Sequence, residues 1–518
     1  MPATLNRKVY TTAQIRAAEQ QAVTHLKVSL SQLMQRAAHA CLQRLQAQQP
    51  APARVVVLCG PGNNGGDGWV LARLAQQAGY QVQVFAVTPR SDLAQLAAQA
   101  WHDSGGISHP LAAFNPTHRE QSDVVVDAVF GSGLNRSVTE QFADCIAVLN
   151  TQPRRCWVLS IDIPSGLNSD TGRPCPIAVR ADWTVSFIAL TLGLVTGQAA
   201  HYCGHIELAE LGIASCLRSQ QPVLEVIDAS TVVHSLPARA KTAHKGDFGH
   251  VVVIGGGPGM SGAAILAGQA VLRCGAGKVS IACHPTSQLA IAAAQPEFMV
   301  HAVTDSVSLL LSKADVVVIG PGLGQSEWAQ QLVIAVADWD GTVVWDADGL
   351  NLLAALALLK PANSEWVMTP HPGEAGRLLG TSTAAVEQDR WHALTQICQN
   401  FQAHALLKGA GTLVQSVTHP TGWVCRRGSP ALATGGSGDV LSGVVAALLA
   451  QRLPIPDALV TAVWLHAVAG ELASCDGERG TIASDLLLPL RQLSNPAQWS
   501  AEIRSVINIE DVCKKPLI

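Results

Sequence analysis

A chain of 518 residues is long enough for two large domains, and 48% apolar residues against 14% charged ones exclude a disordered or coiled-coil protein. The formal charge of −4 carries no long run of one sign, which excludes the electrostatic footprint of a nucleic-acid or anionic-membrane binder. Thirteen scattered cysteines without a C-x-x-C pair read as reduced cytoplasmic thiols rather than a secreted disulfide framework. Met1–Thr12 lacks the apolar core of a signal peptide. No run reaches the ~18 apolar residues that span a bilayer; Ala458–Ala473, interrupted by His466 and Glu471, reads as a buried amphipathic helix.

In chain order, Thr11–Gln48 has the periodicity of two helices. Short β-branched runs then predict strands at Arg54–Cys59, Gln81–Val87, Asp123–Val129 and Trp157–Asp162. Their lack of alternation suits strands buried on both faces, hence a parallel sheet covered by helices. Between the first strand and a helix predicted from about Trp69 lies Gly60-Pro61-Gly62-Asn63-Asn64-Gly65-Gly66-Asp67-Gly68. Such a turn lets backbone N–H groups reach a phosphate at a helix N-terminus, with Asp67 as an alternative cap. It is neither a Walker A loop nor the dinucleotide G-x-G-x-x-G. Asp127 falls near the end of the next strand, ahead of Phe130–Leu134, and Asp162 and Ser165 end the one after. Strand carboxyl ends share one edge of a parallel sheet, so Asn64, Asp127, Asp162 and Ser165 are expected to converge there. These hard oxygens suit a monovalent or divalent cation, or one carboxylate serves as a general base; helix capping is the plainer alternative for each aspartate.

The weakly periodic Ser219–Lys241 marks a boundary, giving domains at 1–222 and 241–500, a linker at 223–240 and a tail at 501–518. A second series of strands is predicted at His250–Ile254, Lys278–Ala282, Asp315–Ile319, Thr342–Trp345, Trp366–Thr369, Ala405–Lys408, Thr412–Gln415 and Gly422–Arg426. Thr434-Gly435-Gly436-Ser437-Gly438-Asp439 precedes an apolar helix. Its free N–H groups and helix dipole suit a phosphoryl group in transfer, with Asp439 placed to take a hydroxyl proton. His371 sits at a strand end beside Gly373 and Glu374, and Lys408 offers a point charge to a nucleotide phosphate.

The strings GPGNNGGDG, DAVFGSGL and IDIPSGLNSDTG resemble the N-terminal domain of the NAD(P)H-hydrate repair enzymes, a Rossmann-like three-layer αβα domain that epimerises the C6 hydroxyl of hydrated nicotinamide dinucleotides. The resemblance implies that Asn63, Asn64, Gly65, Gly66 and Asp67, with Gly131, Ser132, Gly133, Leu134, Asn135, Arg136 and Ser137, contact the dinucleotide. It also implies that Asn64, Asp127 and Ser165 bind K⁺ and that Asp162 faces the hydrated ring. One departure is that Thr191-Leu192 stand where relatives often carry Lys-Pro, so this position brings no cation to the phosphates.

HKGDFGHVVVIGG, IGPGLG, WDADGLN, TPHPGEAGRLLG, LLKGAGT and ATGGSGDVLSG resemble the ribokinase-like dehydratase domain of the same family. This implies dehydration of (S)-NADHX or (S)-NADPHX at the expense of ADP as co-substrate, giving AMP and phosphate, with Mg²⁺. Lys408, Gly409, Ala410, Gly411, Thr412 and Gly438 would hold the adenine nucleotide. Gly262, Gly324, His371 and Asp439 would hold the hydrate. The enzymatic alternative is an ATP-dependent small-molecule kinase with an N-terminal ligand-binding module. Small molecules are the expected partners of a cytoplasmic homo-oligomer, with neither nucleic acid nor membrane.

Overall fold

The computed structural model describes residues 7–507. These divide into two compact units, one ending at Val226 and the other starting at Ile227.

In the first unit, seven parallel strands follow the order Ser108–Pro110, Gln81–Ala86, Arg54–Cys59, Val124–Ala128, Trp157–Ile161, Trp183–Phe187, His205–Ala209. Successive strands run outward on one side of Arg54–Cys59 and then outward on the other, the doubly wound order of a Rossmann-type sheet. Its central strands are valine-rich and buried on both faces. The predicted N-terminal helical region is Thr12–His25 and Leu30–Gln48, each opened by a capping box at Thr11 or Ser29. The helix after the glycine-rich turn begins at Asn63, not near Trp69. The glycines are therefore its first two turns, because tertiary packing overrules their poor helix propensity.

In the second unit, seven parallel strands run Met299–Ala302, Lys278–Cys283, His250–Ile254, Val316–Ile319, Thr342–Trp345, Glu365–Met368, His404–Leu407. Thr412–Gln415 and Gly422–Cys425 extend them antiparallel. The Ile455–Ala473 helix has the length and mean hydropathy of a membrane span. Every residue from Ala458 to Gly470 is nevertheless buried inside the unit. It is a core helix, apolar all round rather than amphipathic as expected.

The 223–240 segment is more ordered than a linker, holding a Leu224–Val226 strand and an Ala229–Ser235 helix. Within the expected tail, Ala501–Ile507 forms a helix with Ile503 buried, and 508–518 lie outside the described residues. The cysteines among the described residues are all free.

Candidate functional sites

In the first unit a cavity of about 600 Å³ opens at the carboxyl ends of the strands. Of the predicted contacts, Asn63, Asn64, Asp67, Asp162 and the Gly131–Arg136 loop line it. Gly65 and Gly66 do not. A Cβ on Gly65 would lie 2.0 Å from the Gly60 carbonyl oxygen, and one on Gly66 would strike Met34, so these two glycines serve helix packing. Ser137 is exposed and also off the cavity wall.

Asp127 and Ser165 lie fully buried and bonded together. The Ser165 hydroxyl donates to Asp127 Oδ1 at 2.5 Å, while the Ser165 amide and the Ser160 hydroxyl donate to Oδ2 at 2.8 Å each. Burial raises the Asp127 pKa and these bonds oppose it. Ser165 Oγ also accepts from the Phe130 amide at 2.7 Å, fixing the glycine loop. Asp162 Oδ2 accepts from the Ser132 amide at 2.7 Å. A Cβ on Gly131 would fall 2.7 Å from that oxygen and 3.2 Å from Asn64 Oδ1, so only glycine lets both polar groups face the cavity. Both polar atoms of the buried Asn64 amide lack a hydrogen-bond partner, and such a group calls for a ligand. Asp162 and the β-branched Ile188, both on the cavity wall, hold left-handed φ angles of 68° and 69°. Strain of this kind gathers at functional sites.

The remaining wall is the first helix, which presents Thr12, Ile15, Arg16 and Glu19. Their spacing of three to four residues marks one helical face. Burial first, then Asp162, pushes the Glu19 pKa up to about 7, with Arg16 opposing. Asp67 is raised well above the carboxylate range by burial, then by Asp162 and Glu19, and burial also raises Asp162. The sequence reading missed this wall; the available signal was an ionisable stripe flanking the buried Ala18 and Ala22. Thr191 and Leu192 are buried and do not line the cavity.

In the second unit the predicted groups gather around Lys408. Its ammonium, with a side chain 19% exposed, donates to Asp346 Oδ1 at 2.9 Å and lies 3.7 Å from Glu374 Oε2. A Cβ on Gly438 would come within 3.3 Å of Lys408 Nζ, so glycine lets the ammonium approach the start of the Ser437–Ala450 helix. Burial disfavours the Lys408 charge, but Asp346, Glu374 and Asp439 outweigh it and raise its pKa. Asp439 sits in the first helical turn. Burial, then Asp346, pushes its pKa up to about 7, with Lys408 opposing.

His371 caps the Pro372–Leu379 helix: its Nδ1 accepts from the Gly373 amide at 2.9 Å, and Glu374 returns a bond to the His371 amide at 2.7 Å. It is half exposed rather than buried between its prolines. Gly409, Ala410, Gly411 and Thr412 form the hairpin after the Lys408 strand, and the Thr412 hydroxyl donates to the Gly409 carbonyl at 2.9 Å. The Gly324 amide donates to Asp348 at 2.9 Å, and a Cβ there would lie 3.2 Å from Met260, two residues before the exposed Gly262.

Two groups were not singled out from sequence. Asp346, 1% exposed, anchors Lys408 and accepts from the Thr369 hydroxyl at 2.8 Å. His466 Nε2 donates to the Ser437 carbonyl at 2.9 Å, and burial lowers its pKa to about 4, so this neutral imidazole pins the glycine-rich helix start. A cavity of about 700 Å³ elsewhere in the unit, lined by Arg239, Phe248 and Arg273, contains none of the predicted residues.

Comparison with known proteins gives two family matches: "YjeF-related protein N-terminus" over residues 30–193 and "NAD(P)H-hydrate dehydratase" over residues 251–490. A bifunctional NAD(P)H-hydrate repair enzyme Nnr of Coxiella burnetii is 42% identical, covering 94% of this chain and 99% of its own. The Escherichia coli counterpart is 40% identical over 96% and 95%. Among solved structures, an ADP/ATP-dependent NAD(P)H-hydrate dehydratase from Bacillus subtilis, crystallised with ATP and Mg²⁺, is 27% identical with a TM-score of 0.46, covering 52% of this chain and 97% of that one.

Proposed function

Because the chain belongs to the bifunctional NAD(P)H-hydrate repair enzymes, which join an epimerase to a dehydratase, we propose that each α/β unit carries one activity at its own strand-end site. Epimerisation of NADHX and NADPHX falls within residues 1–222, dehydration of the S form within 241–500. The free cysteines support a cytoplasmic setting.

In the dehydratase, Asp439 accepts the proton of the C6 hydroxyl as that oxygen attacks the terminal phosphoryl group of ADP. The backbone N–H groups of Gly435, Gly436 and Gly438 receive the phosphate charge, aided by Lys408. AMP leaves in that transfer; the C6–O bond then breaks with its electron pair going to phosphate, C5 gives up a proton to solvent, and the C5–H pair becomes the C5=C6 bond of the dihydropyridine. Gly409 to Thr412 hold the nucleotide; Gly262, Gly324 and His371 hold the hydrate. The observation that carries this reading is the meeting of Lys408, Asp346 and Asp439 at a glycine-opened helix start. A base poised near pH 7 suits proton abstraction at neutral pH.

Mg²⁺ keeps phosphate and water ligands and needs only one or two carboxylates. Glu374 is buried, accepts from the His371 amide and lies 3.7 Å from the Lys408 ammonium, so it does not fit that need; the ion would rest on the nucleotide's phosphates and water and supply charge neutralisation. In the epimerase, the buried Asn64 amide, with no hydrogen-bond partner for its oxygen, fits a weakly hydrated cation. Asn64, Asp127 and Ser165 would hold K⁺, which supplies fixed positive charge beneath the dinucleotide loop, while Asp162 handles a proton at the hydrated ring.

The test is to give the full chain mixed R and S NADHX with ADP or with ATP and follow the reduced-nicotinamide absorbance. Complete, ADP-dependent conversion is expected. Conversion that ignores nucleotide would refute the phosphorylation route, and a stall at the R form would refute the epimerase.

A further inference from the structure

We propose that Glu19, on the first helix, is the second proton-transfer group of the epimerase and the working partner of Asp162. The inference rests on the epimerase reading of this cavity and adds to it a catalytic residue from outside the strand-end motifs.

Three features of the site carry it. Glu19 lines the same 600 Å³ cavity as Asp162 and the Gly131–Arg136 loop. The helix bearing it is pinned to the loop that follows Asp162: the Thr12 amide donates to Asp170 Oδ1 at 2.9 Å, and the Thr12 and Ser169 hydroxyls bond at 2.7 Å. Ser169 in turn donates to the Ser132 carbonyl at 2.9 Å, tying helix, loop and turn together. Lastly, the two carboxyls sit in different surroundings. Burial raises the Asp162 pKa, and the backbone amide bond from Ser132 opposes that rise by favouring the charged form. Glu19, with a pKa near 7, holds its proton through most of the acid range. Unequal environments for two carboxyls separate an acid from a base.

The chemistry requires such a pair. C6 of the hydrated ring bears the hydroxyl and is bonded to the ring nitrogen. Glu19 donates its proton to that hydroxyl. The C6–O bond breaks, its electron pair leaving with water, and the nitrogen lone pair forms a C6=N bond. Water then adds to the other face, the C6=N π pair returns to nitrogen, and the added water gives a proton to Asp162. One proton has moved from Glu19 to Asp162, water is conserved, and the reverse reaction exchanges the roles. The charged groups facing Glu19 are Arg16 on its own helix, Asp67 on the Asn63–Gln77 helix, Asp162 at its strand end and Arg136 on the loop.

The experiment uses the full chain, with mixed NADHX epimers, ADP, and clearance of the R form scored against the S form from pH 5 to 9. E19Q is expected to slow R clearance about 10²- to 10⁴-fold, the usual weight of a general acid, with S consumption unchanged and the first unit's folding checked by an unchanged circular dichroism spectrum and thermal melt. E19D is expected to keep part of the activity. In the wild type, R clearance should fall above about pH 7, and this limb should vanish in E19Q. E19Q clearing R within threefold of wild type at every pH overturns the proposal. Should E19Q not fold, a wild-type profile without that limb overturns it. If D162N is inactive while E19Q is active, only the Glu19 role fails; if both are active, the Asp162 assignment fails with it.

Discussion

The two sites share a plan and differ in charge. Each places a glycine-rich helix start at the carboxyl edge of a parallel sheet, a setting that suits an anion. In the first unit Glu19, Asp67 and Asp162 crowd one cavity, and Arg16 is the cation that opposes the rise at Glu19 and Asp162. In the second, Lys408 is inserted among Asp346, Glu374 and Asp439. Carboxyls left crowded retain protons and suit moving one on and off a carbon-bound oxygen. Carboxyls beside an ammonium hold a fixed cation, although Asp439 is still raised to about 7; in the reading proposed above that cation meets phosphoryl charge. In the reading proposed above, the placement of one lysine is what separates the chemistry of the two sites.

The contrast can be broken most sharply at Asp439. D439N should cut dehydration about 10²- to 10⁴-fold and leave epimerisation intact; near-wild-type reduced-nicotinamide formation would remove Asp439 as the base. Its raised pKa also sets a stability trend. The folded state favours the protonated form, so this contribution is intact below about pH 4 and lost as pH rises through about 7. D439N should flatten that fall in melting temperature.

Next in size is K408M, which strands the buried Asp346 carboxylate. Breaking a buried pair from one side costs about 3–5 kcal/mol, so denaturant melts of the second unit should show a large loss, relieved in K408M/D346N. D162N should slow R-epimer clearance roughly 10²-fold while the S form is consumed normally. The smallest effect belongs to T191V. The buried Thr191 hydroxyl has no hydrogen-bond partner, so its removal should be neutral or stabilise by up to about 1 kcal/mol. Epimerisation should not change, since Thr191 does not line the cavity.

The central strands were legible because buried parallel strands are almost uniformly apolar, as Val316–Ile319 and Val124–Ala128 are. Ser108–Pro110 and Met299–Ala302 were not, since they end their sheets and stay largely exposed, where no apolar run is needed. Strand-end residues such as Asp162 and Lys408 could be placed because topology gathers strand ends. Glu19 could not, because its approach to Asp162 depends on the Thr12–Asp170 anchor, a contact across 158 residues. Asp346 was visible as a polar strand end, but its meaning required Lys408, 62 residues later.

The left-handed bends at Asp162 and Ile188 bear on how this enzyme can change. A residue held in that region has few neighbouring conformations available, so its side chain is aimed by the main chain itself. Glycine would relax the bend at 162 only by deleting the carboxyl. Drift in this rim is therefore confined to residues that tolerate the bend, and new substrate preferences should arise instead from the helix opposite, whose regular backbone accepts any side chain.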